Sequence, residues 1–103
     1  MKLYLVREDA REVWVAALAH ERMYSYVANT GMFHDNNALR NDFYMERDFT
    51  YEPIGAAEAR RLIDDGVGRL DEEEDADILD EWRSDSNGLA AADVLSMAAG
   101  SNL

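Results

Sequence analysis

Hydrophobic and polar positions alternate with different periods along the chain, and the changes of period mark its elements. Residues 2–7, KLYLVR, and 12–17, EVWVAA, are rich in aromatic and β-branched types and are separated by the polar EDAR, which predicts a hairpin of two antiparallel strands. The next segment, LAHERMYSYVANTG at 18–31, reads as a helix with Met23, Tyr26 and Val27 on one face and Gly31 just past its end. Its alternating Tyr24 and Tyr26 keep a third strand open as the alternative. A capping box of Asp9 and Glu12 could open one helix running through residue 29, but Val13, Trp14 and Val15 in succession favour a strand, because β-branched side chains lose freedom in a helix.

Residues 35–47, DNNALRNDFYMER, begin with cap residues and place Leu39, Phe43 and Tyr44 three to five apart, which suits a short helix. FTYEPI then reads as a short strand closed by Pro53. The clearest periodicity is in GAAEARRLIDDGVG: Ala59, Leu62 and Ile63 share a face, Glu58 takes the third helical position, and Gly66 or Gly68 ends the helix. Arg60 and Arg61 are expected to pair with Asp64 and Asp65 one turn on. Near the C-terminus, SDSNGLAAADVLSMAAG offers Ser86 or Asn87 as a cap, a weak stripe of Val94, Leu95 and Ala98, and Gly100 as a stop. The expected fold is α+β: a small antiparallel sheet, made of the N-terminal hairpin plus a short strand, with helices on one face and an acidic helical C-terminal region. Its expected core is Tyr4, Leu5, Trp14, Val27, Phe43, Leu62 and Ile63.

Composition refines this. The 103 residues suffice for one compact domain, and the formal charge is −12. Residues 1–70 carry nine basic and twelve acidic side chains, whereas residues 71–103 carry one and ten. The expected organisation is therefore a compact α+β domain at 1–70 and an acidic, helical appendage at 71–103 packed on that same domain. Such acidity disfavours direct contact with nucleic acid or with an anionic membrane, and favours a basic protein surface or cations. With no Cys, disulfides, thiolate metal sites and thiol nucleophiles are excluded. The N-terminus meets charge within a few residues and no apolar run could span a bilayer, so a cytoplasmic protein is expected. Nine Arg against one Lys, with abundant Ala, suggests a GC-rich coding genome and fits a small bacterial or phage accessory protein.

The acidity peaks in LDEEEDADILDEW, residues 70–82. Asp71, Glu73, Asp75 and Asp77 alternate as oxygen ligands do in a calcium loop, but Ala76 stands where the turn glycine belongs and Trp82 where the closing Glu belongs; starting from Glu73 instead puts Ile78 at the turn. A helix fits better, with Asp75, Ile78, Leu79 and Trp82 on one face. Like charges one turn apart, Glu73 with Asp77 and Asp77 with Glu81, oppose it mildly. Were residues 71–85 one helix, nine acids would line roughly 22 Å at 1.5 Å per residue. That density is of the order of the phosphates of duplex DNA, so mimicry of a nucleic-acid backbone joins simple solvation as a reading. The expected partner-binding set is Asp71, Glu72, Glu73, Glu74, Asp75, Asp77, Asp80, Glu81 and Trp82.

A second cluster, FHDNNALRNDFY, offers the best place for chemistry. His34 could act as a general base oriented by Asp42, with Asp35 beside it and Arg40 binding an anion. A helix cap made by Asp35 or Asn36 beside a surface His accounts for the same residues without catalysis. His20, His34 and Asp35 lack the spacing of any recognised metal site, and no phosphate loop, nucleophile elbow or dinucleotide fingerprint occurs, so no metal or cofactor is expected. The leading expectation is a non-enzymatic inhibitor or regulator that engages a basic, nucleic-acid-handling protein. The alternatives are a small enzyme using His34, Asp35, Arg40 and Asp42, and a protein that self-associates through Leu89, Val94, Leu95 and Met97.

Overall fold

Four successive antiparallel strands occupy the first third of the chain: β1 (Lys2–Glu8), β2 (Arg11–Ala19), β3 (Arg22–Val27) and β4 (Met32–Asp35). The computed structural model describes residues 1–100. A short helix, α1 (Asn37–Asn41), follows and continues into a wider π-helical turn, Asp42–Glu46. Then come β5 (Thr50–Ile54), α2 (Ala56–Asp64), α3 (Ala76–Arg83), a two-residue strand β6 (Leu89–Ala90) and α4 (Ala91–Gly100). The sheet order is β5-β1-β2-β3-β4-β6, every neighbouring pair antiparallel. The α+β class expected from the sequence is the class observed.

Helices cover both faces of this sheet, not one. On the first, Leu3, Leu5, Val15, Ala17, Tyr26 and Phe33 pack with Ala59 and Leu62 of α2 and with Val94 and Ala98 of α4. On the second, Val6, Ala16 and Met23 pack with Leu39 of α1, bordered by Tyr4, Trp14, Phe43 and Tyr51. Of the expected core, Leu5, Val27 and Leu62 are fully buried, while Tyr4, Trp14, Phe43 and Ile63 are half-buried around it.

The helix expected over 18–31 is a hairpin. β2 runs on to Ala19, His20 and Glu21 make a two-residue turn with φ of 51° and 67°, and β3 returns with Ala17 opposite Tyr24 and Leu18 opposite Met23. Burial on both faces removes the in-out alternation that marks a one-sided strand, and the turn lacks the Asn or Gly usual where both φ are positive. Such residues cost about 1–2 kcal/mol each in this region. We expect Glu21→Gly to raise stability by about 0.5–1 kcal/mol, part of the gain being offset by the extra freedom of glycine in the unfolded chain. A higher urea midpoint at unchanged slope would show it, and a lower midpoint would contradict it.

α2 ends as the sequence suggests, at Gly66. The Gly66 N–H donates to the Ile63 carbonyl at 3.1 Å and the Val67 N–H to Leu62 at 3.1 Å, closing the helix around a glycine with φ of 94°. Gly68 has another duty: its φ is 97°, and a Cβ there would collide with the Tyr26 carbonyl oxygen of β3. Arg61 pairs with Glu58 at 3.3 Å and with Asp65 at 3.9 Å. The last helix begins at Ala91 and not after Ser86 or Asn87, because Leu89 and Ala90 instead pair with Phe33 and Met32 as β6. Gly100 is the last described position of α4, so whether it stops the helix lies outside the described residues. Among the described residues, no helix is long and apolar enough to cross a membrane.

Candidate functional site: an acidic segment fixed to the sheet

The acidic stretch is two elements, a turn at 72–75 and then α3, so one continuous helix over 71–85 is not formed. Asp71 explains the division. Its Oδ1 accepts from the Glu73 and Glu74 N–H groups at 2.8 and 2.9 Å, the hydrogen bonds that open a turn, and these bonds hold its carboxyl below the usual carboxylate range. Asn29, in the turn after β3, fastens the approach: its Oδ1 accepts from the Leu70 N–H at 2.8 Å and its Nδ2 donates to the Leu70 carbonyl at 3.0 Å and to Glu72 Oε2 at 2.7 Å. Arg83, at the end of α3, donates to Glu72 Oε1 at 2.7 Å. Asn29 first and then Arg83 lower the Glu72 carboxyl.

The apolar turn of α3 faces inward. Leu79 is completely buried, and Ile78, Asp75 and Trp82 are half-buried. The Trp82 ring stacks on His34 with centroids 5.7 Å apart and planes 15° from parallel, and meets Trp14 edge-on at 6.0 Å. Its neighbours thus belong to β2 and β4, so the helix is attached across strands. Among the described residues, the side chains of Glu73, Glu74, Asp75, Asp77, Asp80 and Glu81 make no hydrogen bond or ion pair. Arg83, the one basic residue after position 70, is already engaged by Glu72. The structure therefore separates acids that build the segment, Asp71, Glu72 and Asp85, from six that make no side-chain hydrogen bond or ion pair among the described residues.

His34 is a core residue, 1% exposed, not a surface one. Its Nδ1 lies 3.0 Å from Asp85 Oδ2 and its Nε2 2.7 Å from Thr30 Oγ1. With a proton on Nδ1 the ring donates to Asp85, and the one proton of the Thr30 hydroxyl is shared between Nε2 and the Val27 carbonyl, 3.2 Å away. The His34 ring and the Asn87 N–H lower the Asp85 carboxyl. This hydroxyl, imidazole and carboxylate are hydrogen-bonded in series, yet the cleft that Trp82 and Asp85 border is lined by neither His34 nor Thr30. What the string does is hold the loop after α3 against β4. Gly88 makes room for it, since a Cβ there would sit 3.1 Å from His34 Cε1.

His34 and Asp42 are not brought together. Asp42 is 4% exposed and accepts from the Asp48 N–H at 2.8 Å, the Phe49 N–H at 3.2 Å and the Tyr51 hydroxyl at 2.7 Å. Burial alone would raise its carboxyl; the Tyr51 hydroxyl, the two N–H groups and the Arg47 guanidinium outweigh it and hold the group below 3.8. Burial and the Asp42 carboxylate push the Tyr51 hydroxyl well above its ordinary value. Arg40 donates to the Glu21 carbonyl and lies over the Tyr44 ring, while Asp35 pairs with Arg22 at 3.2 Å. The helix cap falls to Asn36, which accepts from the Leu39 N–H at 3.0 Å. Among the described residues, His20, in the β2–β3 turn, belongs to no group that could hold a metal ion. Asp42, Glu46 and Asp48 bring one oxygen each within 4.8 Å of one another, but both Asp42 oxygens already accept hydrogen bonds.

Thr30, Asp85, Asn29 and Tyr51 were not legible as partners in the sequence. Asp85 is 51 residues from His34 and Glu72 is 43 from Asn29, and no periodicity reaches so far. No protein-family model, no curated protein and no solved structure matches this chain.

Proposed function

We propose that the chain is a non-enzymatic binding module whose turn at 72–75 and helix α3 engage a basic protein surface. The observation that supports this most is the set of six carboxylates that have no hydrogen-bond or ion-pair partner among the described residues, on a segment that Leu79, Trp82, Asp71 and Glu72 otherwise fix firmly. Solvation alone would require no such fixing, whereas a fixed array of charge binds with less loss of freedom.

The finer reading is an inhibitor or regulator of a nucleic-acid-handling protein, in which these carboxylates occupy the place of phosphates. Its support is the local density of negative charge, although the acids lie on two elements and not along one straight helix. The test is capture of a basic protein from the native host at low salt, followed by challenge with salt and with duplex DNA. The expected result is release by both, since the contact is electrostatic and the DNA competes for the same surface. Capture indifferent to salt would contradict the binding reading; capture sensitive to salt but indifferent to DNA would contradict the finer one alone.

A further inference from the structure

We propose that the cleft between α3 and the open edge of β4 receives an arginine side chain of the basic partner, an inference that rests on the function proposed above. Among the described residues β6 pairs only with Met32 and Phe33, and no strand pairs with the edge of β4 beyond them. The cleft there encloses about 470 Å3. Tyr24 and Trp82 supply aromatic walls, and Asp35, Glu81 and Asp85 supply carboxylates, against a single cation, Arg22.

Three features select a guanidinium. First, Asp35 is under-used. Its Oδ2 takes one contact from Arg22 at 3.2 Å, whereas its Oδ1 is shielded from water and has no hydrogen-bond partner among the described residues. A carboxylate oxygen accepts more than one donor, so an incoming guanidinium can add a second to Oδ2, the oxygen that Arg22 already reaches from solvent. Second, the Arg22 side chain is 67% exposed, so its pair with Asp35 is of the weak surface kind that an incoming cation can displace. Arg22 also shows that a guanidinium reaches this carboxylate. Third, Trp82 is pre-positioned by its stack on His34 and its edge contact with Trp14, so the aromatic wall needs no ordering on binding. A delocalised planar cation stacks on such a wall better than an ammonium does. Glu81 adds a charge with no partner among the described residues, and the unpaired acids of the 72–75 turn lie just before α3 in the chain, steering cations toward this surface.

The test compares two peptides of equal charge, nona-arginine and nona-lysine, titrated against the full chain at low salt. Trp fluorescence and the Trp82 indole N–H resonance report binding. The expected result is an affinity roughly three- to fivefold higher for nona-arginine, with the Trp82 resonance moving on its addition. In Asp35→Asn/Glu81→Gln, two substitutions at exposed or half-exposed positions, both peptides should weaken and their ratio should fall to about one. In Glu73→Gln/Glu74→Gln both should weaken while the ratio persists. Equal affinities for the intact chain, or an unchanged ratio in Asp35→Asn/Glu81→Gln, would overturn the cleft and leave the acidic-surface reading standing. Failure of both peptides to bind at low salt would overturn both.

Discussion

Replacing Asp42 with Ala is expected to lower the unfolding free energy by about 3 kcal/mol or more, and the thermal midpoint by roughly 12–20 °C. The substitution strands three donors at once. The Asp48 and Phe49 N–H groups and the Tyr51 hydroxyl all converge on this carboxylate, which joins the π-helical turn to β5. Each buried donor left without an acceptor costs about 1–3 kcal/mol. Tyr51→Phe removes only one of the three and should cost about 1 kcal/mol. The effect should also depend on pH. Because the Asp42 carboxyl is held below its ordinary 3.8 in the folded chain, its contribution is complete above that value and disappears as the pH falls through the lowered one. The gap between the intact chain and Asp42→Ala should therefore be widest near neutrality and narrow in acid. Asp85, lowered by His34 and the Asn87 N–H, adds to the loss of stability in the same window. Thermal unfolding followed across acid pH checks both statements, and a gap of constant size throughout would contradict the assignment.

Trp82→Ala should cost about 3 kcal/mol, the low end for an aromatic truncation because the residue is only half-buried. It removes the stack on His34 and the edge contact with Trp14, the two ring contacts that tie α3 to the sheet. Amide exchange distinguishes local from global damage. Protection in α3 should fall most, while β1, β2 and β3, whose ladders are independent of Trp82, should keep theirs in proportion to the remaining stability. A loss below about 1 kcal/mol, with α3 still protected, would show that Leu79 and the hydrogen bonds of Glu72 and Asp85 hold the helix without the ring contacts.

Those two sites also show what could and could not be read from sequence. The first hairpin was legible because the polar EDAR separates two β-rich runs, and α2 because its apolar stripe ends at a glycine that takes up positive φ. β3 was not, since the HE turn carries neither Asn nor Gly and MYSYV is covered on both faces. β6 exists only through its pairing with β4, and two residues carry no period of their own. The site divides in the same way. Counting located the acidic segment, and helical spacing put Asp75, Ile78, Leu79 and Trp82 on its sheltered side. Which acids would be engaged depended on Asn29, His34 and Arg83, long-range partners that only the folded chain assembles. The proposed chemistry of His34 with Asp42 failed to assemble for a similar reason: each found a nearer partner elsewhere in the fold.

Under the proposed function, particular carboxylates, and not net charge, make the binding surface. Two variants with equal net charge separate these ideas. One neutralises Glu73, Glu74, Asp77, Asp80 and Glu81; the other neutralises Glu8, Asp9, Glu46, Asp48 and Asp64, acids that are equally exposed but lie outside the segment. Affinity for nona-lysine at low salt should fall at least about tenfold in the first variant and only slightly in the second, with both folded by circular dichroism. Equal losses in the two would mean that the acidic segment is a solvated surface like any other, and would contradict the account.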